Sequence, residues 1–210
     1  MFYKLIHCAL AISLLAVGSL YSQDKTVLTF IAPPHGYIRT PCDSGSFGHW
    51  LQRLPLKADK VIRSYDGDTV RSGFYNVWGV VDMPLMFTSD IEQCADYCMR
   101  LWAEYHRAHN AFDKLYLFNY NGTKNYFNNS NRTFRSFCKQ AFAYSNSHSL
   151  KKGCATVADT ALAPGDLLIQ NETGGIGHFM VASINCLDAM GRGASGSGER
   201  ASKISSGSSE

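Results

Sequence analysis

Two residues of this chain have the chemistry of a nucleophile and a general base. Cys94 lies near the start of a segment with helical periodicity, and His178 precedes an apolar run over residues 179–184. A thiolate attacks an amide carbonyl far better than a thiol does, and an imidazole can accept the thiol proton and later donate it to the leaving amine. Cys94 and His178 are therefore the candidate catalytic residues.

A strand, a turn and a second strand are predicted around the histidine. Residues 167–169 and 179–184 are apolar runs, and glycines interrupt the segment between them. Asp166 and Gly177 flank the two strands and are candidate substrate-binding residues. An aspartate after Gly165 is more often a turn residue that bonds the backbone than an acid. His178 could also serve as a cap at the edge of a sheet.

A helix is predicted to position Cys94. Ser89-Asp90-Ile91-Glu92 matches the capping box and predicts a helix from about Asp90 to His109, with Cys94 in its second turn. One face of this helix is apolar and carries Cys94, Cys98, Leu101, Trp102 and Tyr105. A cysteine on such a face is also compatible with a buried, inert thiol, so both interpretations of Cys94 stay open.

Shorter elements are predicted on either side of this helix. Apolar runs predict strands at 26–31, 60–65, 75–83 and 115–120, and helical spacing predicts helices at 46–54 and 133–144. An Asn-rich loop is expected at 121–132. Trp50, on the first of these helices, is a candidate platform for a peptide or sugar, although a tryptophan at helical spacing is also typical of a core.

Composition limits the size of the fold and the classes of partner. With 210 residues, 45% of them hydrophobic, the chain predicts one sizeable core and one domain. A net charge of +3 without a Lys/Arg run gives no indication of a nucleic-acid partner. Cys94 and Cys98 have a spacing that could ligate a metal, but no nearby Cys-His pair completes a tetrahedral set, so neither a metal nor a cofactor is expected.

The two ends of the chain are predicted to lie outside the folded domain. Lys4, the apolar run at 8–17 and the small residues at 18–22 are typical of a secretory signal peptide, which predicts export and a mature domain over residues 23–190. The apolar run is shorter than the roughly 20 residues of a spanning helix, so no membrane span is expected after cleavage. The Gly/Ser-rich segment 191–210 predicts disorder.

The order of the chemical residues resembles that of papain-like cell-wall hydrolases of the NlpC type. Cys94, Pro164-Gly165-Asp166-Leu167 and Gly177-His178 follow one another as the cysteine, the strand motif and the histidine do in that family. The resemblance implies an α+β fold with an antiparallel sheet packed against a long central helix. It also implies a third polar residue after the histidine strand, for which the chain offers Asn185 and Asp188.

A second resemblance extends over most of the chain. Its motifs are Pro33-Pro34-x-Gly36-Tyr37, Ser46-Phe47-Gly48-x-Trp50-Leu51, Tyr65-Asp66-Gly67, Gln93-Cys94-Ala95-Asp96, Met99-Arg100-Leu101-x-Ala103-Glu104-Tyr105, Gly165-Asp166 and Gly177-His178. They look like the signature of domain-of-unknown-function family 4846, which implies an exported bacterial protein of unknown activity. Two hypotheses follow: a cysteine hydrolase or amidase acting on peptidoglycan peptide, or a non-catalytic envelope module that binds a peptide or glycan.

Overall fold

The computed structural model describes residues 25–70, 76–170, 178–181, 186–188 and 200–203, the last three ranges by their backbone. The predicted signal segment 1–22, Gly177 and Asn185 lie outside these ranges. Within the described ranges, no helix combines the length and the apolar character needed to cross a membrane.

The described residues form five α-helices and eight short strands. The helices are α1 (Val27–Phe30), α2 (Phe47–Gln52), α3 (Cys94–Ala108), α4 (Phe134–Tyr144) and α5 (Ser147–Gly153). The strands are β1 (Tyr37–Arg39), β2 (Tyr116–Phe118), β3 (Lys124–Tyr126), β4 (Ala155–Thr156), β5 (Leu167–Gln170), β6 (His178–Val181), β7 (Cys186–Asp188) and β8 (Arg200–Lys203). Short 3₁₀ turns cover Phe127–Asn129 and Asp159–Ala161.

All described strand pairs are antiparallel, which fits the predicted α+β class. β1 pairs with β7, β2 pairs with β3, and a four-stranded sheet has the order β4-β8-β5-β6. The predicted strand pair around the histidine is confirmed, because Leu167 faces Val181 and Gln170 faces His178. β7 follows β6 in the chain but joins β1, so Asp188 lies in a different sheet from His178.

Helix α3 has most of its surface in the interior. Ten of its fifteen residues are buried, among them Cys98, Leu101 and Trp102. The helix packs against α2, α4, β2 and β6. Apolar residues three and four positions apart give it a continuous face for this packing. Its burial fixes where the residues at each of its ends lie.

Two glycines allow α2 to approach the turn before β5 closely. A Cβ on Gly48 would lie 2.4 Å from the carbonyl oxygen of Pro164, and one on Gly165 would lie 3.1 Å from the Phe47 ring. Gly165 also has a φ of +101°, which favours glycine. The helix and the turn that precedes β5 are therefore held against each other by backbone contact.

Three of the predicted strands are wrong. Residues 27–30 form α1, because the hydroxyls of Thr26 and Thr29 each accept the other's backbone N–H, at 3.3 and 2.9 Å, and so cap a helical turn. Residues 60–65 pair only through the bridge between Arg63 and Thr69, and residues 76–83 only through that between Leu56 and Val81. Apolar character alone does not make a strand without a neighbour to complete the ladder.

Ordered elements also occur where none is predicted. The Asn-rich loop contains β3 and a 3₁₀ turn, and α5 begins after Asn146, whose side chain accepts the N–H groups of His148 and Ser149. β8 lies within the tail for which composition predicts disorder, and it pairs with β4 and β5.

Candidate functional site

Cys94 is the first residue of α3, so the predicted helix start at Asp90 is wrong. Ser89 and Glu92 do not form the predicted capping box. The two oxygens of Glu92 instead accept from the backbone N–H of Phe87, at 2.8 Å, and from Arg100, at 2.5 Å. Asp96 takes the capping role, because its Oδ2 accepts the backbone N–H of Gln93 at 3.1 Å.

The new helix start changes the electrostatic setting of Cys94. A residue in the first turn lies beside backbone N–H groups that have no partner within the helix, where the positive end of the helix dipole is strongest. Cys94 is half-buried and is a free thiol. Its position therefore offers access and the free N–H groups of a helix start, both of which favour a nucleophilic thiolate, while the acidic side chains of Asp90 and Asp96 line the same cleft.

A buried ion network holds the segment that leads into α3. Arg100 donates to Glu92 and to the carbonyl oxygen of Pro84, both at 2.5 Å, and its Nε lies 3.8 Å from Glu104. The side chains of Arg100 and Glu92 are 5% and 2% exposed. Removing charges from water is costly unless they are paired, so this network holds the chain segment before Cys94 in place.

An open cleft of about 360 Å³ borders the start of α3. One wall is formed by the residues at the beginning of the helix, including Cys94 and Asp96, and the other by the end of α4 and the start of α5. The second wall consists of Phe142, Ala143, Ser145, Asn146 and Ser147. Cys94 therefore borders a space large enough for a small ligand.

Asp96 is the residue of this site that the sequence prediction did not select. It lines the cleft and is 7% exposed, and its Oδ1 has no hydrogen-bond partner among the described residues. Burial and, to a smaller extent, the nearby carboxylates Glu92 and Asp90 raise the pKa of Asp96 to about 7. Its place in the motif Gln93-Cys94-Ala95-Asp96 was the signal that could have identified it.

The second candidate catalytic residue lies on a strand beside the same helix. β6 begins at His178, and its backbone packs against α3. The carboxylate of Asp166 accepts the backbone N–H of Ala163 at 2.8 Å, as in the turn interpretation, and Asp166 is 2% exposed. Its contact with a substrate stays a prediction, as does that of Gly177.

Trp50 lies away from the cleft. Its ring is 6.2 Å from that of Phe47 and 6.0 Å from that of Tyr105. Tyr105 follows Cys94 by eleven residues on α3, which corresponds to about 16 Å at 1.5 Å per residue. The structure therefore does not bring Trp50 and Cys94 into one small site, and Trp50 packs as part of an aromatic cluster.

The other described thiols differ from Cys94. Burial raises the pKa of Cys138 and of Cys154 to about 12, and it also raises the pKa of Cys98. Among the described residues, no group of three His, Cys, Asp or Glu side chains could hold a metal ion. Cys98 and Cys138 are buried and so protected from reaction, whereas Cys154 is half-buried like Cys94 but does not line the cleft.

Comparison with known proteins gives one match. No curated protein and no solved structure matches the chain. The model of a family described as domain of unknown function 4846 matches residues 27–131, which are 105 of the 210 residues. The matched range contains Cys94, Asp96 and the ion network around Arg100, and it ends before the Pro164–Asp166 turn and His178. The chain belongs to domain-of-unknown-function family 4846.

Proposed function

We propose that this protein is a papain-like thiol hydrolase or amidase in which Cys94 is the nucleophile and His178 the general base. The observation that carries the proposal is the position of Cys94 at the first residue of α3, bordering an open cleft. The packing of β6, which begins at His178, against the same helix supports it. Nucleophile and base in such enzymes lie on a helix start and a neighbouring strand.

The reaction would proceed in two steps. His178 takes the proton of the Cys94 thiol, the sulfur bonds to the amide carbonyl carbon, and the carbon–nitrogen bond breaks as the imidazolium returns the proton to the leaving amine. Water then attacks the thioester, His178 accepts a proton from that water, and the thiol is regenerated as the acid leaves. Free N–H groups at the start of α3 stabilise negative charge at the sulfur.

The proposed substrate is a peptidoglycan peptide, and the proposed location is outside the cytoplasm. The resemblance of the Cys94, Pro164–Leu167 and His178 order to NlpC-type hydrolases supports the substrate class, and the predicted signal segment 1–22 supports export. A cleft with polar and apolar lining suits a short peptide, which presents both amide groups and small side chains.

Alkylation of the mature protein with iodoacetamide at neutral pH tests the nucleophile. Cys94 is expected to react faster than a free cysteine in solution, whereas Cys98 and Cys138 serve as internal controls because they are buried. A Cys94 that reacts no faster than free cysteine contradicts the proposal.

Hydrolysis of cell-wall fragments by variants tests the mechanism. Cys94→Ala and His178→Ala are each expected to lower activity by at least about 1,000-fold, because the two residues act as a unit. Cys42→Ala, which removes a half-buried thiol outside the cleft, is the matched control and should leave activity unchanged. Activity that survives Cys94→Ala contradicts the proposal, and binding of fragments without product release favours the non-catalytic envelope module.

A further inference from the structure

One side chain that lines the cleft beside Cys94 has an oxygen without a hydrogen-bond partner among the described residues. Asp96 is 7% exposed, and its Oδ2 is occupied by the backbone N–H of Gln93. Its Oδ1 is buried and has no hydrogen-bond partner among the described residues. Buried polar atoms in folded proteins are almost always paired, so an unpaired oxygen on a side chain that lines a cleft points to a ligand that supplies the donor.

We propose that the cleft binds the free ammonium group of a peptide ligand, with the carboxylate of Asp96 as its partner. This names the substrate class of the proposed hydrolase and rests on that proposal for the statement that the ligand is cleaved. The binding itself requires no reaction and can be measured without one.

The charges around the cleft favour a cation. Of the described residues that line it, Asp90 and Asp96 are the charged ones, and both are acidic. Glu92, which lies between them in the chain, is paired with Arg100 and does not line the cleft. An anionic ligand would meet repulsion here, whereas an ammonium group would form a charge-assisted hydrogen bond with Asp96.

The shape of the cleft favours an organic cation over a metal ion. Phe142, Ala143, Ile91 and Ala95 give it apolar walls, which suit the small side chain and backbone that follow an amino group in a peptide. Two carboxylates separated by such walls do not make an oxygen cage, since Ca²⁺ takes six to eight oxygen ligands. Within the described part of the chain, no group of three metal-ligating side chains occurs.

Binding of three tripeptides to the Cys94→Ala protein at about pH 7.5, followed by NMR chemical shifts, tests the inference. Ala-Ala-Ala offers an α-ammonium group, acetyl-Ala-Lys-Ala-amide offers a side-chain ammonium group, and acetyl-Ala-Ala-Ala-amide offers neither. We expect the first or the second to bind at least about tenfold more tightly than the third, and the better of the two identifies which amine is recognised.

Two substitutions in the same cleft test whether Asp96 itself, rather than the negative charge of the cleft in general, binds the amine. Asp96→Asn keeps an oxygen for the Gln93 N–H but removes the charge, and it should weaken the preferred amine peptide at least about tenfold. Asp90→Asn, which changes an exposed carboxylate on the rim, is the matched control and should weaken it less than about threefold. Thermal unfolding of Asp96→Asn at or above the wild-type temperature excludes loss of fold as the cause.

The outcomes distinguish this inference from the proposed hydrolase. Amine-dependent binding that Asp96→Asn abolishes supports the inference even if wild-type protein cleaves no peptide, which would contradict the hydrolase alone. Equal binding of all three peptides, absence of binding by both amine peptides, or equal effects of the Asp96 and Asp90 substitutions overturns the inference. Tighter binding of Ca²⁺ or Mg²⁺ than of either amine peptide, displaced by those peptides, overturns it as well.

Discussion

The two ends of helix α3 have opposite surroundings. At its beginning, Cys94 and Asp96 border an open cleft, and Asp96 has a buried oxygen without a partner among the described residues. Near its end, Trp102 and Tyr105 pack with α2, the Trp102 ring lying 5.2 Å from that of Phe47 and 4.3 Å from that of His106. One end of the helix borders open space, and the other end is packed into the fold.

Two buried titratable residues, one near each end, make this difference measurable. Asp96 and His106 are 7% and 2% exposed, and neither ring nitrogen of His106 has a hydrogen-bond partner among the described residues. Burial shifts both pKa values toward the neutral form, upward for Asp96 and downward for His106. Asp96 lines a cleft, so the proposed binding of an amine would explain its cost to stability, whereas His106 lies in the packed end of the helix.

Removing Arg100 should have the largest effect, because it uncouples the site end of α3 from the segment before it. Arg100→Leu leaves the buried carboxylate of Glu92 without its cation and removes the more distant of the two cations beside Glu104, which should lower the free energy of unfolding by about 3–5 kcal/mol in urea titrations. Arg107→Leu is the matched control. Arg107 lies 2.6 Å from Glu104 but is 56% exposed, so its loss should cost about 1 kcal/mol or less. Equal costs would show that burial does not decide the strength of this network.

Gly48→Ala should disturb the packed end through a backbone clash. The new Cβ would lie 2.4 Å from the Pro164 oxygen, so α2 must move away from the turn before β5, at a cost of about 2–3 kcal/mol. In Gly79→Ala, the control, the Cβ meets the side chain of Leu56 at 3.0 Å, which can rotate away, and the cost should stay below about 1 kcal/mol. A Gly48→Ala protein as stable as Gly79→Ala would contradict the close approach.

Local capping chemistry explains which helices could be predicted from the sequence. The hydroxyls of Ser46 and Thr133 accept backbone N–H groups of His49 and Ser136, and α2 and α4 begin directly after them. The start of α3 was misplaced because Glu92 is drawn to Arg100, eight residues away in the chain. That contact exists only once the fold has formed, so no local sequence pattern indicates it.

Tertiary packing also explains what the sequence could not reveal about the site. Residue type and position in the chain indicated Cys94 as a candidate, and an apolar run predicted the strand that begins at His178. Asp96 lines a cleft because residues 142–147, which are 46 to 51 positions away in the chain, form its opposite wall. The strands predicted at 60–65 and 76–83 likewise do not form, because their partners make only isolated bridges and do not complete a ladder.

Asp96→Asn is expected to stabilise the protein at neutral pH. The pKa of Asp96 is raised from an ordinary 3.8 to about 7, so the folded state keeps a proton that the unfolded state has released between these values. Wild-type stability from this group therefore falls as pH rises from about 4 to about 7. Linkage sets an upper limit of about 4 kcal/mol, and water at the cleft should reduce the gain in the variant to about 2 kcal/mol.

Urea titrations of Asp96→Asn and wild type at several pH values check this expectation. The difference in the free energy of unfolding should be small at pH 4 and full above pH 7. Asp90→Asn, at an exposed position, should show no comparable rise. A variant that is less stable than wild type at neutral pH would mean that the charge of Asp96 supports the fold, and the contrast between the two helix ends would lose its basis.

His106 should give a smaller dependence on pH with the opposite sign. Burial lowers its pKa from an ordinary 6.5 to about 4, so the unfolded state binds a proton that the folded state does not between these values. Its contribution to stability is present above pH 6.5 and is lost as pH falls toward 4, by about 1.5 kcal/mol once relaxation of the surroundings is allowed for. His106→Leu should remove this loss, whereas His148→Gln, at an exposed position, should leave the wild-type curve unchanged.

Because the Asp96 and His106 effects oppose each other over nearly the same pH range, the stability of the wild-type protein should be less sensitive to pH than that of either Asp96→Asn or His106→Leu. A double variant that is steeper than both single variants would contradict the assignment of these slopes to the two ends of α3.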